Sequence, residues 1–152
     1  MNITVIVETT ASVLLKIVTV KIVSTMKLSN NFSLAEMTKS QTATRKGIKN
    51  EPSTAHVENL IHLAETVLQP VREHFDKAVV ISSGYRSPEL CEAIGSSSKS
   101  QHARGEAADF EIPGVDNKEL ATWISKNTEF DQLILEFMMR EIRTLDGCTV
   151  QR

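Results

Sequence analysis

Ser100-Gln101-His102-Ala103-Arg104-Gly105-Glu106-Ala107-Ala108-Asp109-Phe110-Glu111-Ile112 is the stretch on which the fold turns. From Gly105 to Ile112 it alternates as a strand does, with Ala108, Phe110 and Ile112 on one face and Ala107, Asp109 and Glu111 on the other. Asp109 is therefore expected to point away from the apolar core. The preceding residues form a polar loop that carries His102. Gly105 permits a backbone conformation or a close approach that a side chain would obstruct, so this loop can turn directly into the strand. Imidazole nitrogen and carboxylate oxygen both bind zinc at about 2.0–2.2 Å, which makes His102 and Asp109 acceptable ligands once the chain brings them together. Ala107, on the face of Asp109, leaves space for a metal and a substrate. Two protein ligands complete neither a closed structural site nor a hydrolytic site that keeps a water position.

Working upstream, Ala78 to Ser82 is a β-branched run bounded by Gly84-Tyr85-Arg86-Ser87-Pro88, which predicts a buried strand. Pro88 to Ile94 suits a short helix capped by Ser87 and ended by Gly95, and Ser96 to Ser100 reads as a serine-rich loop. Between Thr54 and Phe75 the residues Val57, Leu60, Ile61, Ala64, Val67, Leu68, Val71 and Phe75 recur at spacings of three and four. That is the stripe of an amphipathic helix, which Pro70 should kink or split. Lys39 to Ser53, with Gly47 and Pro52, reads as a loop whose Lys39, Arg45, Lys46 and Lys49 are solvated. Ser33-Leu34-Ala35-Glu36 has the form of a capping box and opens a short helix near Leu34 to Thr38.

Downstream, Pro113-Gly114 turns the chain, and Asn117 to Lys126 predicts a helix with Leu120, Trp123 and Ile124 on one side. Trp123 reads as core packing. Asp131 to Phe137 is a last apolar strand. Helices grouped beside short strands indicate an α+β fold, a small and mostly antiparallel sheet with flanking helices.

At 152 residues a single core is expected, and 17 basic against 19 acidic residues create no field that would gather nucleic acid. The apolar run from Ala11 to Val23 is broken by Lys16 and Lys21, too short for a membrane span. Glu8 precedes it and the lysines lie inside it, against the order of a secretory signal. Residues 1–25 read as an N-terminal extension, in which Val18, Val20 and Ile22 alternate like a strand. Residues 26–137 read as the domain, and residues 138–152 as a divergent tail. Cys91 and Cys148 form no C-x-x-C pair and read as free thiols of a reducing compartment.

Ser-x-His-x-x-Gly-x-Ala-x-Asp, from Ser100 to Asp109, resembles the first zinc-binding signature of the peptidase M15 family, within the D-Ala-D-Ala carboxypeptidase and hedgehog-type superfamily. Ser83-Gly84-Tyr85-Arg86-Ser87 resembles the companion Ser-Gly-Tyr-Arg block. The likeness runs from about Met26 to Phe137 and is to the small single-domain members common in phages and prophages. It implies a hedgehog/D,D-peptidase-like fold with zinc on His102 and Asp109. It implies a catalytic Arg86 that stabilises the developing oxyanion or holds the substrate, and Tyr85 and Ser100 lining the pocket. The implied substrate is the peptidoglycan stem peptide, cut in the manner of a carboxypeptidase or an endolysin. A monomer is expected, with neither nucleic acid nor membrane as a partner. Synthesis in the cytosol, and action at the cell wall after lysis or from a phage particle, go with that likeness.

One departure stands against the family pattern. Members carry a third ligand, a histidine in a C-terminal strand, whereas this chain has no histidine after His102. Substitutes are conceivable in His56, His62 and His74 on the long helix, Glu111 and Glu136 on strands, and Cys148 in the tail. The expectation is a zinc metallopeptidase-like domain impaired by the missing ligand. The alternative is a non-catalytic module that binds the wall, or a phage structural component of the same fold.

Overall fold

Short polar side chains set the helix starts. The computed structural model describes residues 26–136 and 147–151, the latter as backbone. Ser33 accepts the Glu36 amide at the start of α1 (Leu34–Met37), Ser40 the Ala43 amide at α2 (Gln41–Lys46), and Ser53 the His56 amide at α3 (Thr54–Leu63). α3 runs through a π-helical turn, Ala64–Leu68, into α4 (Gln69–Phe75), which needs no cap of its own. β1 (Val80–Ser83) follows. Ser87 then caps α5 (Pro88–Ala93), and Ser100 caps α6 (Gln101–Arg104), which leads into β2 (Ala107–Glu111). Asp116 takes two amides at the start of α7 (Asn117–Asn127). β3 (Gln132–Glu136) and β4 (Gly147–Gln151) complete the order. Each cap satisfies donors that a helix start leaves without a partner, an effect of about 1 kcal/mol apiece.

The fold is α+β, as the sequence predicts. Among the described residues four strands pair antiparallel in the order β1-β2-β4-β3. β4 comes from the segment read as a divergent tail, and it lies between β2 and β3, with Thr149 the register partner of Asp109. The expected extension, residues 1–25, and residues 137–146 lie outside the described residues. Among the described residues no helix is long and apolar enough to cross a membrane.

Three local expectations are corrected. Lys39 to Ser53 is not all loop: α2 forms within it, started by Ser40 and closed by Gly47 in the left-handed region at φ 66°. It buries only Ala43, so no apolar stripe announces it. The long helix divides one turn before Pro70 rather than at it. Proline has no N–H for the carbonyl four residues back and its ring presses on that carbonyl, so the widened turn at Ala64–Leu68 absorbs the misfit. The run expected as a buried strand gives β1, an edge strand with Val80 43% exposed.

One core joins these elements. Leu60, Leu63, Val67, Leu68 and Val71 from the long helix meet Ala108, Phe110 and Ile112 from β2, together with Leu120 and Ile124 from α7. Each fully buried aliphatic or aromatic side chain of this set contributes about 1.5–3 kcal/mol before chain entropy is counted. Trp123 packs against the edge of this cluster and stacks on His74 at 4.4 Å between ring centroids. The core takes one face of β2 and leaves Asp109 and Glu111 half-buried on the other.

Candidate metal centre and the groove beside it

His102 arrives on α6 rather than on the expected loop, with Ser100 accepting its amide hydrogen at 3.3 Å. Gly105 closes that helix at φ 75° and sits against α3, where a Cβ would stand 2.5 Å from the His56 carbonyl oxygen. This tight reversal sends the chain into β2 and brings Asp109 back beneath His102. Opposite, the pairing of β1 with β2 slips at Ser82, the extra residue between the Ile81–Phe110 and Ser83–Asp109 pairs. Such a bulge bends its strand and re-aims the side chains beyond it. Ser83 and Arg86 are thereby set beside Asp109.

The result is a tight cluster. Arg86 donates from Nη2 to Asp109 Oδ2 at 2.9 Å and from Nε to Ser83 Oγ at 2.7 Å. The Arg86 amide donates to the His102 carbonyl at 3.1 Å. His102, 4% exposed, lies with Nδ1 2.7 Å from the Gly84 carbonyl oxygen. A carbonyl only accepts, so Nδ1 carries the proton. In a neutral ring Nε2 is then a lone pair, and it stands 3.4 Å from Asp109 Oδ1. Two acceptors at that separation repel unless a cation lies between them. Two donors bound at about 2.1 Å to one tetrahedral zinc ion stand roughly 3.4 Å apart, so this pair fits zinc in both chemistry and spacing. The Gly84 carbonyl plays the part of the partner that fixes a metal-binding imidazole's tautomer and orientation.

A third donor is not in view. Among the described residues no group of three or more His, Cys, Asp or Glu side chains is placed to hold a metal. Of the conceivable substitutes, His56 turns Nδ1 to the Tyr85 hydroxyl at 3.3 Å, and His74 stacks on Trp123. His62 lines a separate cavity with Glu106, Glu129 and Asp131. Glu111 is the register partner of Val80, at the far end of β2 from the cluster. The side chains of Glu136 and Cys148 lie outside what is described.

Tyr85 and Ser100, expected to line the pocket, are found as a buried side chain and as the cap of α6. Tyr85 is 3% exposed, its ring tilted against His56, and burial pushes its hydroxyl above the usual phenol range. Its amide donates to the Met37 carbonyl at 2.7 Å, a contact made possible by Gly84, where any Cβ would overlap that carbonyl. Cys91 is free and fully buried on α5, and burial pushes its thiol up against the opposing pull of Arg86.

Sequence reasoning missed Asn50. Its Nδ2 donates to the carbonyls of Thr38 at 2.8 Å and Tyr85 at 3.0 Å, and its Oδ1 accepts from the Ser87 amide at 2.7 Å. One amide group thus ties Thr38 to the backbone on either side of Arg86. Removing it leaves part-buried backbone groups unpaired, so Asn50→Ala is expected to cost about 2–3 kcal/mol, measured by urea denaturation. Asn50→Asp keeps the acceptor but loses both donors, and should recover little of that loss.

Beside the cluster, Arg86 also lines a groove of about 490 Å³ between the Lys39–Thr42 turn and Ile81, Ser82 and Ser83 of β1. A family model described as Peptidase M15 matches residues 30–141, a span that contains α1 through β3 and both sequence motifs. No curated protein matches the chain.

Proposed function

Because the chain belongs to the peptidase M15 family, we propose that it is a zinc-peptidase-like domain directed at the stem peptide of peptidoglycan, weakened by an incomplete ligand set. The observation that supports this most directly is the facing pair of acceptors, His102 Nε2 and Asp109 Oδ1, 3.4 Å apart with the other ring nitrogen fixed on Gly84. A zinc ion bound there would polarise a scissile carbonyl and lower the pKa of a bound water. Arg86 has five N–H donors, of which the bonds to Asp109 and Ser83 engage two, and its place in the groove suits it to hold a substrate carbonyl or a developing oxyanion. Tyr85 and Ser100 act by positioning the two motif loops.

The absence of any histidine after His102 in the sequence supports the weakened reading. With the two protein donors found among the described residues, zinc is held less tightly than by the three of a hydrolytic site. The second reading, a module that keeps the cleft and binds wall peptide without cutting it, draws on the same two donors among the described residues and the groove beside them. Action at the wall after lysis, or from a phage particle, accords with the sequence resemblance.

Zinc titration against a chelator of known affinity, paired with digestion of purified muropeptides, tests the reading. Weak zinc binding with little product is expected. Tight stoichiometric zinc with rapid cleavage would overturn the impairment, and failure to bind either zinc or sacculi would overturn the assignment. Retention on sacculi without product release favours the binding module.

A further inference from the structure

The groove beside Arg86 runs along a strand edge. β1 pairs with β2 on one side only, and among the described residues no backbone hydrogen bond is made from Val80–Ser83 to anything beyond that partner. Ile81, Ser82 and Ser83 line the groove, so the β1 edge left unpaired among the described residues borders it. An extended peptide satisfies such an edge by adding as a further strand, with main-chain bonds giving affinity and side-chain pockets giving selectivity. A volume of about 490 Å³ lies within the range of small-ligand clefts.

The charge of the groove is one-sided. Lys39 and Arg86 both line it, and no carboxylate side chain is among its described lining residues. Lys39 is exposed and forms no ion pair among the described residues, although Glu36 one turn earlier feels its charge. Arg86 shares its charge with Asp109, whereas the Lys39 ammonium has no ion-pair partner among the described residues. Ile94, 44% exposed, supplies an apolar contact in the same groove. The cavity at His62 differs in character, with Glu106, Glu129 and Asp131 among its lining residues.

We infer that the peptide substrate docks as an added strand on the free edge of β1, with a carboxylate on the docked segment bound by Lys39. This rests on the peptidase reading for the identity of the peptide, but the groove owes nothing to the metal. Lys39 is thus a specificity-determining residue, distinct from the His102–Asp109 pair.

The test uses the full chain with chelator present, so that metal binding plays no part. A synthetic stem peptide is titrated with its carboxylates free or amidated, against the native chain and Lys39→Gln, and the amide signals of Ile81–Ser83 are followed by NMR. Amidation and Lys39→Gln should each weaken binding roughly tenfold, and together little more than either alone, since both remove one interaction. N-methylation of the peptide backbone should weaken binding to the native chain and abolish the shifts at β1. Binding indifferent to amidation and to Lys39→Gln overturns the subsite while leaving the peptidase reading intact. An ordinary acidic L-peptide that binds with the same Lys39 dependence, where the stem peptide does not, supports the groove and removes the wall substrate. Failure of both peptides to bind overturns the inference.

Discussion

A Gly105→Ala chain is expected to unfold roughly 5–15 °C below the native one, a loss of about 2–5 kcal/mol for a domain of this size. Two costs combine. Gly105 has φ 75°, in the left-handed region that an L side chain enters at a cost of roughly 1–2 kcal/mol. Its added Cβ would also stand 2.5 Å from the His56 carbonyl oxygen and 3.1 Å from Leu60 Cγ, so α3 must shift. Overpacking of that kind costs about 1–3 kcal/mol. Gly47 separates the two terms, because it has φ 66° with nothing within 4 Å of its would-be Cβ. Gly47→Ala should therefore show the backbone cost alone, about 1–2 kcal/mol. Thermal melts of both variants with chelator present decide the matter, and equal losses would mean that the approach of α6 to α3 is not tight.

The role of Gly105 was legible in the sequence because it depends on local chemistry, a glycine between a metal-ligand type and a strand. The same holds for Ser33 and Ser87 as caps, and for the alternation that turns Asp109 off the core. What the sequence hid depends on distance along the chain. α2 buries one residue and α6 spans only four, so neither displays a period. Asn50 forms its bonds with Tyr85 and Ser87, 35 and 37 residues away, and a lone asparagine in a polar stretch carries no mark of that. The edge position of β1 comes from strand order, which a short β-branched run does not encode, since buried and edge strands share its composition. The facing of His102 and Asp109 was legible as a motif. Its sign, two acceptors when the ring is neutral, needed the Gly84 carbonyl to place the proton on Nδ1.

That sign gives Asp109→Asn an unusual profile. Loss of the carboxylate removes one of the two metal donors found among the described residues, so zinc affinity should fall by at least about 100-fold, beyond the 10–100-fold typical when only a supporting partner is lost. The zinc-free protein should hardly suffer. An asparagine of the same shape can present its amide nitrogen to His102 Nε2 and its oxygen to Arg86 Nη2, which turns the 3.4 Å contact between acceptors into a hydrogen bond. Against this gain stands the lost charge of the Arg86 pair, whose side chains are 21% and 24% exposed, so solvent screens part of the attraction. The net change with chelator present is expected within about 1 kcal/mol, a balance of two terms of that size. If Asp109 instead serves a doubly protonated His102 as a purely structural ion pair, the outcome reverses. Removing one partner of a buried pair costs about 3–5 kcal/mol, and added zinc would then raise the melting temperature of neither chain. Melting curves of the native and Asp109→Asn proteins, with zinc and with chelator, distinguish the two. A site built for a metal gives up stability where its donors face each other, and the variant that cannot bind the metal should recover it.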